Sequence, residues 1–168
     1  MKLLLDLRAM LFIGVAVGGG LVFPTSAFPD VAGKARIVDG DTITVSEDRI
    51  RLHGIDAPEQ RQTCLKENTE WACGAESTDA LKRMIAGKTV HCIGDERDRY
   101  SRLIAVCFVG SLSLNKRMVS EGWALAYRRY SKDYIPEETD AQNAGRGMWR
   151  GEFLAPWDWR KKQRSQSR

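Results

Sequence analysis

The chain has 168 residues, 43% of them hydrophobic and 29% charged, and a formal net charge of +4. That is the length of one domain with the composition of an ordinary globular protein, and it is long enough to bury an adequate core. It shows no sign of a second domain or internal repeat, and the mild positive balance favours an anionic partner without choosing among nucleic acid, lipid and an acidic polymer.

The first segment has the three-part pattern of a secretory signal. Lys2 and Arg8 flank a short positive stretch, Ala9 to Phe23 carry no charge, and Thr25-Ser26-Ala27 ends on a small residue suited to cleavage. The uncharged run is shorter than the ~20 residues a membrane helix needs, although an uncleaved anchor is the alternative. Residues 1–27 are therefore expected to be removed, leaving a secreted or periplasmic protein without stable membrane association. A domain is expected over 28–160, followed by a basic tail, 161–168.

Residues 35–46 read ARIVDGDTITVS, where Ile43 and Val45 alternate with Thr42 and Thr44 as in a strand. Asp39-Gly40 falls where a turn or bulge would sit. Residues 49–55 alternate again, with Ile50 and Leu52 on one side and Arg49, Arg51 and His53 on the other; Ala57-Pro58 ends that strand. Residues 60–73 are polar and predict a loop stapled by cysteines. Residues 75–86 place Ala80, Leu81, Met84 and Ile85 at helical spacing, with Gly87 as the stop.

Lys88 to Ile93 predicts a strand, Asp95 to Ser101 a charged turn, and Arg102 to Val109 a strand rich in Ile, Val and Phe. A short helix is expected over 113–121, closed by Gly122, then an apolar run from Trp123 to Tyr127. A final helix starts at Pro136 and reaches about Ala144, closed by Gly145 and Gly147. The ending WDWRKKQRSQSR predicts a disordered terminus, with an electrostatic arm for nucleic acid as the alternative. Short strands with interspersed helices suggest a small OB-like barrel.

Four cysteines, Cys64, Cys73, Cys92 and Cys107, suggest disulfides in an exported chain. Three pairings are possible. Cys64 with Cys73 is favoured by the stapled loop, and Cys92 with Cys107 by the expected hairpin. No C-x-x-C pair is present, which argues against zinc.

Chemistry-bearing residues fall into three groups. Asp39 and Asp41, two apart in a strand, would project together; paired carboxylates repel unless a cation joins them, and oxygen ligands favour calcium, magnesium or manganese. Arg51, Asp56 and Glu59 cluster at a strand end, where one carboxylate can bind metal, another can hold or deprotonate water, and an arginine can bond two phosphate oxygens. Asp98-Arg99-Tyr100-Ser101-Arg102 places an arginine at a strand mouth. Each group alone has an ordinary structural explanation: an Asp-Gly turn, a surface salt bridge, a charged hairpin tip. His53 and His91 belong to no ligand set, and the five tryptophans are expected to pack.

In sequence, DGDT, then RxxxxDxPE, then DRYxR resembles the staphylococcal nuclease (thermonuclease) family, as do Gly122-Trp123-Ala124-Leu125-Ala126-Tyr127 and Gly147-Met148-Trp149. The resemblance spans roughly residues 34–159. It implies a five-stranded OB-fold Greek-key barrel with three flanking helices, of mainly β, α+β class. It further implies a monomeric calcium-dependent endonuclease acting on DNA and RNA and leaving 3′-phosphates.

On that resemblance Asp41, Asp56 and the carbonyl of Ala57 match the metal ligands, and Asp39 a carboxylate just behind them. Glu59 matches the general base, and Arg51 and Arg102 the phosphate-binding arginines. Tyr100 and Tyr127 match substrate-pocket tyrosines, and Arg99 a pocket cation; Tyr130 does not align cleanly with a further tyrosine. A catalytically silent OB binding module is the rival reading, disfavoured because Arg51, Asp41, Asp56, Glu59 and Arg102 are all present. Action on a different phosphodiester polymer is a third.

Overall fold

A computed structural model describes residues 30–167; the expected signal segment lies outside them. Among the described residues there are ten strands: β1 (Asp30–Ile37), β2 (Thr42–Val45), β3 (Asp48–Leu52), β4 (Ile55–Asp56), β5 (Cys64–Lys66), β6 (Thr69–Trp71), β7 (Thr89–Arg97), β8 (Leu103–Val109), β9 (Leu112–Ser113) and β10 (Leu125–Ala126). Four α-helices accompany them: α1 (Cys73–Ile85), α2 (Leu114–Ser120), α3 (Ile135–Asn143) and α4 (Pro156–Gln166), with one 3₁₀ turn at Gly147–Arg150.

The sheet order β3-β2-β1-β7-β8 closes on itself through a parallel β3–β8 pairing, giving the five-stranded barrel, and β9 adds a short hairpin to β8. Every pair in this sheet other than β3–β8 is antiparallel. Alternation fills the interior. Ile43 and Val45, Ile50 and Leu52, and Leu103, Ala105 and Cys107 are all buried, while Thr44, Arg49, Arg51, Ile104 and Val106 between them are more exposed. Leu81 and Ile85 of α1 and Leu114, Met118 and Val119 of α2 pack on the same core. A second cluster forms around Cys64, Cys73, Leu125 and Met148, with Trp71, Trp149, Phe153 and Trp157 packed against it.

Both expected disulfides form. Cys92 and Cys107 are register partners across β7 and β8, and Cys64–Cys73 closes a nine-residue separation. Three local expectations change. The stapled loop contains a two-stranded sheet, β5–β6, tied by reciprocal main-chain bonds between Leu65 and Glu152. The strand from Lys88 does not stop at Ile93; a register irregularity between Ile93 and Glu96 lets pairing continue to Arg97, so the charged turn shrinks to its Asp98 end. The basic ending is helical through Gln166, making a fourth helix.

Among the described residues no helix is long and apolar enough to cross a membrane.

Candidate functional site

The DGD segment is a bend, as Asp39-Gly40 suggested, rather than a stretch of strand carrying Asp39 and Asp41. Two main-chain bonds, from Val38 and Asp39 N–H to the Thr42 carbonyl, fold the chain back before β2 begins. Asp39 stays near Asp41: its Oδ1 accepts the Asp41 N–H at 3.0 Å, an Asx turn that fixes the backbone here. Gly40 is required by close approach: a Cβ there would lie 2.2 Å from Ser77 Oγ and 2.7 Å from Ala57 Cβ.

Asp41 is 1% exposed and Asp56 fully buried. β3 sets Arg51 opposite Thr42 of β2 and Ile104 of β8, on the side away from the core, so its guanidinium reaches both carboxylates. It donates to Asp41 Oδ1 and, at 2.5 Å, to Asp56 Oδ1. Asp41 Oδ2 also accepts the Ala57 amide at 2.7 Å, and its Oδ1 accepts the Thr42 hydroxyl at 3.1 Å. Asp56 is positioned by β4, which pairs Asp56 with Leu125 of β10.

Burial is the largest influence on Asp41. Arg51 opposes it, but Asp39 and Asp56 add repulsion, and the carboxyl stands well above the usual carboxylate range. Arg51 is shared between Asp41 and Asp56, and Asp56 is paired with Arg160 as well. The donor set, all oxygen, suits a hard cation. Among the described residues no group of three or more His, Cys, Asp or Glu side chains is arranged to hold a metal. A full shell would therefore draw on main-chain carbonyl, water or substrate oxygens beside Asp41 and Asp56.

Glu59 follows Pro58 on a loop at the rim. Buried Gln62 organises this loop: its Oε1 accepts the Glu59 N–H at 3.3 Å, and its Nε2 donates to the Leu154 carbonyl at 2.7 Å. The Gln62 N–H closes a turn on the Glu59 carbonyl at 2.7 Å. The start of α1 presses on the same loop, since a Cβ on Gly74 would lie 1.7 Å from the Glu59 carbonyl oxygen. The Glu59 side chain meets Arg160 of α4, which donates to Glu59 Oε1 at 2.8 Å and to Asp56 Oδ1 and Oδ2 at 3.1 and 2.7 Å.

The β7–β8 hairpin tip carries Arg99, Tyr100 and Arg102. Arg102 turns to Asp98, donating from Nε at 2.7 Å, and no ion pair joins it to Asp41, Asp56 or Glu59. Asp98 also accepts the Tyr100 and Arg102 N–H groups, at 2.9 and 3.0 Å. Tyr100 is 70% exposed, with the Arg99 and Arg102 guanidiniums 5.9 and 5.5 Å from its ring centre. Tyr127 stacks on Trp157 of α4 (centroids 5.4 Å apart, planes within 4°) and meets Tyr130 edge-on.

The structure thus joins Asp41, Asp56 and Arg51 directly, Glu59 through Arg160, and Asp39 through the backbone. Arg160, Trp157 and Gln62 went unnoticed in the sequence. A signal existed for the first two: Pro156 followed by two tryptophans is a helix start, hidden by the basic composition after it.

The family model described as staphylococcal nuclease homologue matches residues 49–151. An uncharacterized endonuclease of Escherichia coli O157:H7 is 36% identical over 140 residues, 78% of this chain and 86% of that protein. The succinoglycan biosynthesis protein ExoI of Rhizobium meliloti (strain 1021) is 33% identical over 126 residues, 73% of this chain and 66% of that protein. A probable staphylococcal-like nuclease, CAN3, of Oryza sativa subsp. japonica is 32% identical over 128 residues, 74% of this chain but 32% of that protein.

Proposed function

Because the chain belongs to the staphylococcal nuclease homologue family, we propose that it is an exported, calcium-dependent endonuclease that cleaves DNA and RNA with little sequence preference and leaves 3′-phosphates. The observation that carries this reading is the meeting of buried Asp41 and Asp56 beneath Arg51, with Glu59 on the adjoining rim.

Asp41, Asp56 and the Ala57 carbonyl would hold calcium, with magnesium or manganese as substitutes; bound there, the ion supplies Lewis-acid stabilisation of charge on phosphoryl oxygen. Glu59 accepts a proton from water as the water oxygen attacks phosphorus. The P–O5′ bond breaks in line, and the freed 5′-oxygen takes up a proton from solvent. Arg51 and Arg102 bond the non-bridging oxygens, where negative charge grows. Arg99, Tyr100 and Tyr127 flank the strand. Export is supported by the amino-terminal signal pattern and by two disulfides.

The test is a metal-titrated digestion of single-stranded DNA and RNA by the chain lacking residues 1–27, with product ends analysed. Calcium should restore cleavage after chelation, and 3′-phosphates should accumulate. Glu59→Ala and Arg102→Ala should each cut turnover by about 100-fold or more in protein that remains folded. Absence of hydrolysis under every divalent cation, with folding verified, would overturn the reading. DNA binding without turnover would mark a binding module instead.

A further inference from the structure

We propose that Arg160 is a positioning residue of the cleavage site: its guanidinium holds the Asp56 and Glu59 carboxylates in one fixed relation, and α4 exists at this place to deliver it. The inference rests on the nuclease reading above.

Glu59 needs help to be a useful base. It sits on a loop, its side chain is 34% exposed, and among the described residues Arg160 is the one cation paired with it. A proton acceptor works only within about 2.6–3.2 Å of the proton's heavy atom in a defined direction. A glutamate swinging freely at a rim spends little time there. The rigid planar fork of an arginine binds carboxylates with defined geometry. Here one fork takes both oxygens of Asp56 and one oxygen of Glu59. It also offsets the repulsion between two carboxylates three residues apart.

The arginine is itself anchored. Pro156, buried, opens α4, and Trp157 stacks flat on Tyr127. Arg160 follows Trp157 by three positions, so both leave the helix on neighbouring sides. The chain entering α4 is tied to the Glu59 loop by Gln62 on the Leu154 carbonyl and by the Leu65–Glu152 pairing. Loop and helix therefore form one unit, and a displacement of either moves Glu59 relative to Asp56. With its side chain 27% exposed, Arg160 is not a solvated surface arginine.

The experiment compares wild type, Arg160→Ala and Arg160→Lys in the mature chain, by steady-state cleavage of single-stranded DNA in calcium and by calorimetric calcium titration. Arg160→Ala should lose about 100-fold in kcat, the scale of a misplaced catalytic group, with KM little changed and calcium still bound. Arg160→Lys, keeping the charge without the fork, should recover only part. A loss confined to KM would make Arg160 a substrate contact. Unchanged or raised kcat with tighter calcium binding would make it a competitor of the metal. Either result overturns the proposal, as does full rescue by lysine. An inactive wild type that still binds calcium would instead defeat the nuclease reading. Should the alanine variant fail to fold, the lysine variant alone decides between partial and full activity.

Discussion

Asp98 shows how a residue can be structurally central while lying outside the carboxylate cluster. Burial works against its charged form, but bonds from the Arg102 side chain and from the Arg102 and Tyr100 amides outweigh burial and hold the carboxyl below its ordinary value of 3.8. A depressed folded pKa means a stabilising contribution that is complete above the unfolded value and is lost as pH falls through the folded one. Asp98→Asn should therefore lower the melting temperature at neutral pH, with the gap to wild type closing at pH well below 4. A gap independent of pH would show that the ionised carboxylate is not what matters. The same side chain aims Arg102, and this was only half visible in sequence: DRYSR announced a charged hairpin tip, but not that the aspartate would claim the arginine.

Elements were legible where periodicity and punctuation agreed. The alternation of Ile43, Val45, Ile50 and Leu52 marked β2 and β3, and the apolar spacing of Ala80, Leu81 and Ile85 marked α1. β5 and β6 were not legible, because strands of three residues are too short to show a period. α4 was missed for a related reason: past Trp157 and Trp159 it has no apolar stripe, and its docking depends on a stack with Tyr127 and an ion pair. The two disulfides act on different elements. Cys92–Cys107 bridges paired strands over a separation of 15 residues, so replacing both cysteines by alanine should cost about 3 kcal/mol of stability. Cys64–Cys73 closes a shorter separation beside the Glu59 loop, worth about 2–3 kcal/mol, and its removal should also slow cleavage in protein that remains folded. Denaturant midpoints and cleavage rates of the two double variants separate these effects; an equal loss of turnover in both would contradict the assignment.

At the scale of the molecule, the five-stranded barrel was expected from the order of elements and the family resemblance, but the strand pairing that closes it was not legible. Alternation tells which face of β3 is buried, but not that Ile50 will lie beside Leu103 of β8. The site divides the same way. Asp41, Arg51, Asp56 and Glu59 come from one short stretch and could be grouped by eye, whereas Arg160 arrives from 104 residues beyond Asp56. The long-range partner leaves Arg51 with two possible duties. It can be wholly absorbed in neutralising Asp41 and Asp56, or it can face a substrate phosphate once a cation shares those carboxylates. Salt dependence distinguishes them, because each phosphate neutralised on a single strand contributes a slope of about −0.7 to log affinity against log salt. Arg51→Ala should flatten the slope of KM against salt by about that single increment if the residue meets phosphate. An unchanged slope together with a lowered melting temperature would place Arg51 in the scaffold and leave Arg102 as the arginine that faces substrate.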